Sequence, residues 1–207
     1  FILTVWEPTG GVDDSGYIWS DEHGWSADTP EVPISVFPFV IRTHWVGLEP
    51  LDFRDAHVSV FLRGDNLVTS SARCVFWIES GETSYHLNSH PLEISDGRWS
   101  DEPNGFVLED DESKWHRTWA KDPSRVRGLS DALAETRRYA FQLVGFSSLP
   151  KGKISMDDLP PSNCLPPWLD TTIPSAPCST QSCASSTFLI PLITSGSPPD
   201  SDRSQSS

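Results

Sequence analysis

The sequence predicts an all-β fold: an antiparallel jelly-roll β-sandwich with one short helix and a disordered C-terminal tail. Three observations carry that reading. Short runs of β-branched and aromatic residues recur between turn residues, one stretch carries helix-start signals, and composition changes sharply near Pro160.

Taken in order, the first run is Val58-Ser-Val-Phe-Leu-Arg63, closed by the turn Gly64-Asp-Asn66. Cys74-Val-Phe-Trp-Ile78 follows, closed by Glu79-Ser-Gly-Glu82, and then Thr83-Ser-Tyr-His-Leu87. Pro91-Leu-Glu-Ile94 precedes a turn at Ser95-Asp-Gly97, and Tyr139–Val144 and Lys153–Asp157 complete the series. Several runs alternate, with Ser59, Arg63 and Gln142 on one face and apolar neighbours on the other, as half-buried strands do. Cys74 and Trp77 read as core. The helix is expected from Ser130 as N-cap through Asp131, Ala132 and Leu133, with Arg137 and Arg138 near its C-terminus, where the macrodipole favours cations.

The chain divides into a β-sandwich body, residues 1–159, and a Pro/Ser-rich tail, residues 160–207. The tail holds nine Pro, twelve Ser and only four charged residues, a composition that supports no packed core. Over all 207 residues the formal charge is −14, which opposes binding to nucleic-acid backbones. The apolar stretches are too short for a membrane span. The N-terminal Phe1-Ile-Leu-Thr-Val is not an intact signal peptide, and no feature of the sequence assigns a compartment. Four cysteines, without a CxxC pair, argue against a zinc knuckle. The positive signal is aromatic: nine Trp, ten Phe and three Tyr.

Gly10-Gly-Val-Asp-Asp-Ser-Gly-Tyr-Ile18 followed by Trp19-Ser-Asp21, Leu51 through Gly64, Ile94-Ser-Asp-Gly-Arg-Trp99, Asp131 through Phe146, and Gly152 through Leu159 occur in an order and spacing that resemble galactose-binding-like jelly-roll domains. These include noncatalytic carbohydrate-binding modules. The resemblance departs at Ser15, where a second Gly is usual, and in the Pro-rich segment between Trp25 and Trp45. It implies a sandwich whose first and last strands lie side by side. It also implies a structural calcium ion, with Asp157 or Asp158 of the closing strand as ligand and Asp21, Asp13 and Asp14 near the opening loop. Calcium takes six to eight oxygen ligands, which carboxylates and turn carbonyls supply.

A pyranose ring stacks its apolar face on an indole or phenol while polar neighbours bond its hydroxyls. Trp19, Trp25, Tyr85, Trp99, Trp115 and Trp119 are the candidate platforms, with Trp45 a further one. Hydrolysis needs two carboxylates at a fixed separation, and the acidic run Glu109-Asp-Asp-Glu112 offers only solvated neighbours. Tyr85, His86, Asn88 and His90 form the only nucleus for a lyase; no residue is assigned a catalytic role. The expected function is noncatalytic recognition of a carbohydrate or glycosylated surface, as part of a larger protein or assembly. A protein-interaction scaffold is the rival, and a polysaccharide lyase or glycoside hydrolase a more distant one.

Overall fold

The computed structural model describes residues 4–43 and 49–157. Expectations placed on Trp45, Asp158 and the segment 160–207 lie outside the described residues.

Twelve strands and one helix follow one another as β1 (Val5–Glu7), β2 (Tyr17–Asp21), β3 (Ser26–Ala27), β4 (Ser35–Arg42), β5 (His57–Val68), β6 (Arg73–Ser80), β7 (Thr83–Leu87), β8 (Ser95–Asp96), β9 (Asn104–Val107), β10 (Trp115–Ala120), α1 (Leu129–Ala134), β11 (Arg138–Val144) and β12 (Lys151–Asp157). Sheet A has the order β1-β2-β12-β5-β8, with β9 also paired to β5; sheet B has the order β10-β7-β6-β11-β4-β3. All pairs are antiparallel except β5 with β8. The chain crosses from one sheet to the other between β2 and β3, β4 and β5, β5 and β6, β7 and β8, β9 and β10, and β11 and β12. This is the all-β sandwich the sequence predicts. The opening β2 and the closing β12 pair directly, Ile154 opposite Ser20 and Met156 opposite Ile18. Among the described residues no helix is long and apolar enough to cross a membrane.

Sheet B is joined tightly. Gly81 (φ 52°) and Glu82 (φ 64°) make the two-residue β6–β7 turn, whose double positive φ matches the twist of a hairpin. A Cβ on Gly81 would sit 2.6 Å from Nε of Arg127, so this position has no room for a side chain without moving that arginine.

Three local readings are corrected, and one strand goes beyond them. Gly64-Asp-Asn66 does not end the first long strand: β5 runs on to Val68, and the irregularity becomes a break in register against β12 between Lys151 and Lys153. Gly152 (φ 110°) allows it, because a Cβ there would lie 2.4 Å from the carbonyl oxygen of Asn66. Pro91–Ile94 is not a strand; only Leu92 bridges, to Cys74. The helix is capped by Gly128 rather than Ser130, with no side-chain cap, and Arg138 opens β11 instead of closing the helix. Burial of Leu129, Ala132 and Leu133 holds this short helix, as expected where packing outweighs propensity. Beyond these, Ser35–Arg42, a stretch the sequence did not single out, forms a strand despite Pro38. The β4–β11 register skips Phe37 and Pro38 opposite Gln142, so a bulge falls where proline has no N–H to donate.

The main core lies between the sheets. Phe76 of β6 is its hub, its ring 5.7 Å from Phe106 of sheet A, 5.8 Å from Phe141, and 6.2 Å from both Phe53 and Tyr139. Phe76→Ala removes these contacts and leaves a cavity, and is expected to lower unfolding free energy by about 3–5 kcal/mol in urea titrations. A loss under about 1 kcal/mol would show that the sheets do not close on this ring.

Candidate ligand-binding site

The aromatic residues expected to carry a ligand separate into three groups. Tyr85 and Trp115 are core residues: the Tyr85 hydroxyl donates to the Arg127 carbonyl at 2.6 Å and Trp115 Nε1 to the Glu109 carbonyl at 2.9 Å. Trp25 packs against the same core, with its Nε1 buried and unpartnered.

Trp19 and Trp99 belong to the outer face of sheet A. Trp19 Nε1 donates to Glu7 at 3.1 Å, and the Lys153 ammonium lies 5.2 Å from its ring centre. Trp99 stands edge-on to Tyr17, its Nε1 donates to the Gly10 carbonyl, and the Arg63 guanidinium lies 4.6 Å from its ring and 5.1 Å from that of Tyr17. Cations occupy these rings, so Trp19 and Trp99 serve to bind the outer face of sheet A to its loops.

The expected metal ligands that lie among the described residues are engaged separately. Asp157 is buried, and its Oδ2 accepts from the Val12 amide at 2.7 Å and the Ser15 hydroxyl at 2.6 Å. It fastens the opening loop to the last strand. Asp21 pairs with Lys153, four residues from Asp157 along β12, and accepts instead from the His23 amide. Asp14 accepts from the Gly10 amide. Among the described residues no group of three or more His, Cys, Asp or Glu is placed to hold a metal ion.

Trp119 is different: it is 51% exposed on the edge strand β10 and opposes Ser84 of β7. Ser84 shares its strand face with His86, and that face opens the site. Cross-strand register sets His116 against His86, His86 against Trp77, Trp77 against Ala140 and Ala140 against Val40, a continuous row over five strands. Trp77 is buried as expected, but in a second core cluster on the outer face of β6, packed edge-on to Phe37 at 5.3 Å with Ala140 and Val40. Alternation requires this: Cys74, Phe76 and Ile78 point between the sheets, so Val75, Trp77 and Glu79 point outward.

Polar groups frame the indole. Gln142 is buried beside Val75, and the half-buried His86 stacks 5.1 Å from the exposed His116. Nδ1 of His86 and Oε1 of Gln142 are both buried without a hydrogen-bond partner. On the next row, Ser84, Glu79, Arg138 and Arg42 follow one another, with Arg138 Nε donating to Glu79 at 2.8 Å. Ser84 and Thr118 share a hydroxyl hydrogen bond of 2.7 Å. The face thus offers an exposed indole, a buried indole beside a small Ala140, and imidazole, amide, hydroxyl and guanidinium groups. Such a set suits a ligand with both apolar faces and many hydroxyls.

The residues proposed for a lyase are dispersed. Tyr85 faces the core and His86 the outer face, Asn88 accepts from Arg73, and His90 lies against Phe106. No protein-family model matches the chain, and no curated protein matches it.

Burial, then the neighbouring His116, pushes the His86 pKa down to about 4; Gln142 opposes this and Arg73 adds to it. The native state therefore keeps His86 neutral at pH values where the unfolded chain, near 6.5, takes a proton. The resulting stability is complete above about pH 6.5 and is lost as pH falls toward 4. Urea midpoints measured across this window are expected to fall with acid, and His86→Gln to flatten the fall. An unchanged slope in that variant would show that His86 is not buried as described.

Proposed function

We propose that this β-sandwich is a noncatalytic carbohydrate-recognition module, whose ligand lies on the outer face of sheet B across Trp119, His116, His86 and Trp77. The observation that carries the reading is the row of cross-strand side chains running from an exposed histidine to a buried indole on a face turned away from the core. A neutral His86 carries one donor and one acceptor nitrogen, and with Nδ1 buried in the face it is Nε2 that is left for a sugar hydroxyl. The resemblance to galactose-binding-like jelly rolls points the same way, although a shared fold by itself licenses no function. Calcium is not part of this reading.

The absence of paired acids on the face supports binding over hydrolysis. Glu79 is the one carboxylate on the rows described, and the Arg138 guanidinium holds both of its oxygens. An acid and a base at a defined separation are what glycoside cleavage demands.

Tryptophan fluorescence titrated against a panel of soluble oligosaccharides tests the proposal. A saturable change is expected for at least one glycan. Trp119→Ala, at an exposed position that leaves the core intact, is expected to weaken it roughly 3- to 10-fold, the worth of one stacked ring. No response to any glycan would overturn the reading and leave a protein-interaction module in its place.

A further inference from the structure

Building on that reading, we propose that Gln142 is a positioning residue that holds the His86 proton on Nδ1. Nε2 then meets the ligand as an acceptor, so the site selects sugars that donate a hydroxyl there. Two buried atoms carry the inference. Nδ1 of His86 and Oε1 of Gln142 are each shut off from water without a completed hydrogen bond. Buried polar atoms left in that state are rare, because each has given up its hydration. The two are complementary: an amide oxygen only accepts, and Nδ1 of a neutral imidazole can donate.

Register brings them to one place. His86 of β7 opposes Trp77 of β6, and Gln142 of β11 opposes Val75, two residues along the same strand. His86 and Gln142 therefore flank β6 from its two sides on the outer face. Val75 is fully buried although it faces away from the core, so side chains from the adjoining strands close over it. Gln142 is itself only 3% exposed. Burial and His116 lower the proton affinity of His86, whereas the Gln142 side chain raises it, the direction that an accepting oxygen gives. An amide N–H facing the ring would do the reverse. Of the other groups acting on the ring, His116 lies against it at 5.1 Å and Arg73 only donates. The hydrogen bond made by one imidazole nitrogen sets the state of the other. With the proton on Nδ1, Nε2 keeps its lone pair, and a ligand atom reaching it must bring a hydrogen. A sugar hydroxyl does so, and an analogue lacking it leaves the site's own polar atom unpaired.

Nitrogen-15 spectra of the His86 ring in the full chain near neutral pH test the assignment without any ligand. A protonated Nδ1 beside an unprotonated Nε2 is expected. The reverse tautomer in the wild-type chain would overturn the inference, whatever the chain binds. Gln142→Met removes the oxygen and is expected to move the proton onto Nε2 in a substantial fraction of molecules. Gln142→Glu keeps an acceptor and is expected to hold it on Nδ1. An unchanged tautomer in Gln142→Met would show that Gln142 does not position the ring. Each oligosaccharide that changes tryptophan fluorescence is then compared with its deoxyfluoro analogues, whose fluorine cannot donate. At one sugar position the exchange is expected to weaken binding ~10-fold in the wild type and by less than about 3-fold in Gln142→Met. Equal losses in the two chains, or no sensitive position, would overturn the selection and leave the glycan reading standing. No response to any oligosaccharide would remove that reading and the selection together, while the tautomer is still decided by the spectra.

Discussion

Strand β6 is buried on both of its faces, and the rest of the molecule is arranged around that fact. On one face Cys74, Phe76 and Ile78 close the sandwich against sheet A; on the other Val75, Trp77 and Glu79 are also buried, with Trp77 packed on Phe37 and Ala140 of its own sheet. A strand buried on one side needs only a partner sheet. One buried on both sides needs neighbours broad enough to cover its outer residues, and β7 and β11 supply His86, Gln142 and Arg138. Glu79, buried among them, is held by Arg138, since a charge removed from water requires a partner. The same packing that stabilises the outer indole therefore builds a surface of mixed apolar and hydrogen-bonding character.

Sheet A solves a different problem. Its closing strand must stay registered between β2 and β5, and Asp157 at its end ties the loop Gly10–Ser15 across the outer edge through Val12 and Ser15. Gly11 permits this: a Cβ there would lie 2.3 Å from the Asp157 carboxylate. Trp99 fastens the same loop through the Gly10 carbonyl and stacks with Arg63. The rings and charges on this face are spent on one another, which distinguishes it from the face of sheet B.

The sandwich was legible because alternation and turn residues act locally, and a closing strand at Lys153–Asp157 follows from Ile154 and Met156 alternating with Ser155. The errors share a cause. Gly64-Asp-Asn66 has the chemistry of a turn, but pairing of β5 with β12 extends the strand through it. Ser35–Arg42 was passed over in a Pro-rich stretch, and a bulge opposite Gln142 absorbs Pro38. The site was hidden for a related reason. Every residue of Cys74–Ile78 is apolar, so a single core accounts for the run when only sequence is considered. Its lack of alternation was nevertheless the available signal, because a continuous apolar run is how a strand covered on both sides reads. The partners of Trp77 come from residues as distant as Phe37 and Ala140, and only register brings them together.

A ligand on the outer face of sheet B lies against the indoles of Trp77 and Trp119, and indole N–H resonances report on it directly. In a nuclear magnetic resonance titration with a bound oligosaccharide, the Nε1–H signals of Trp77 and Trp119 are expected to move while those of Trp19 and Trp99 stay in place. Movement of Trp19 and Trp99 with Trp77 and Trp119 unchanged would contradict that placement.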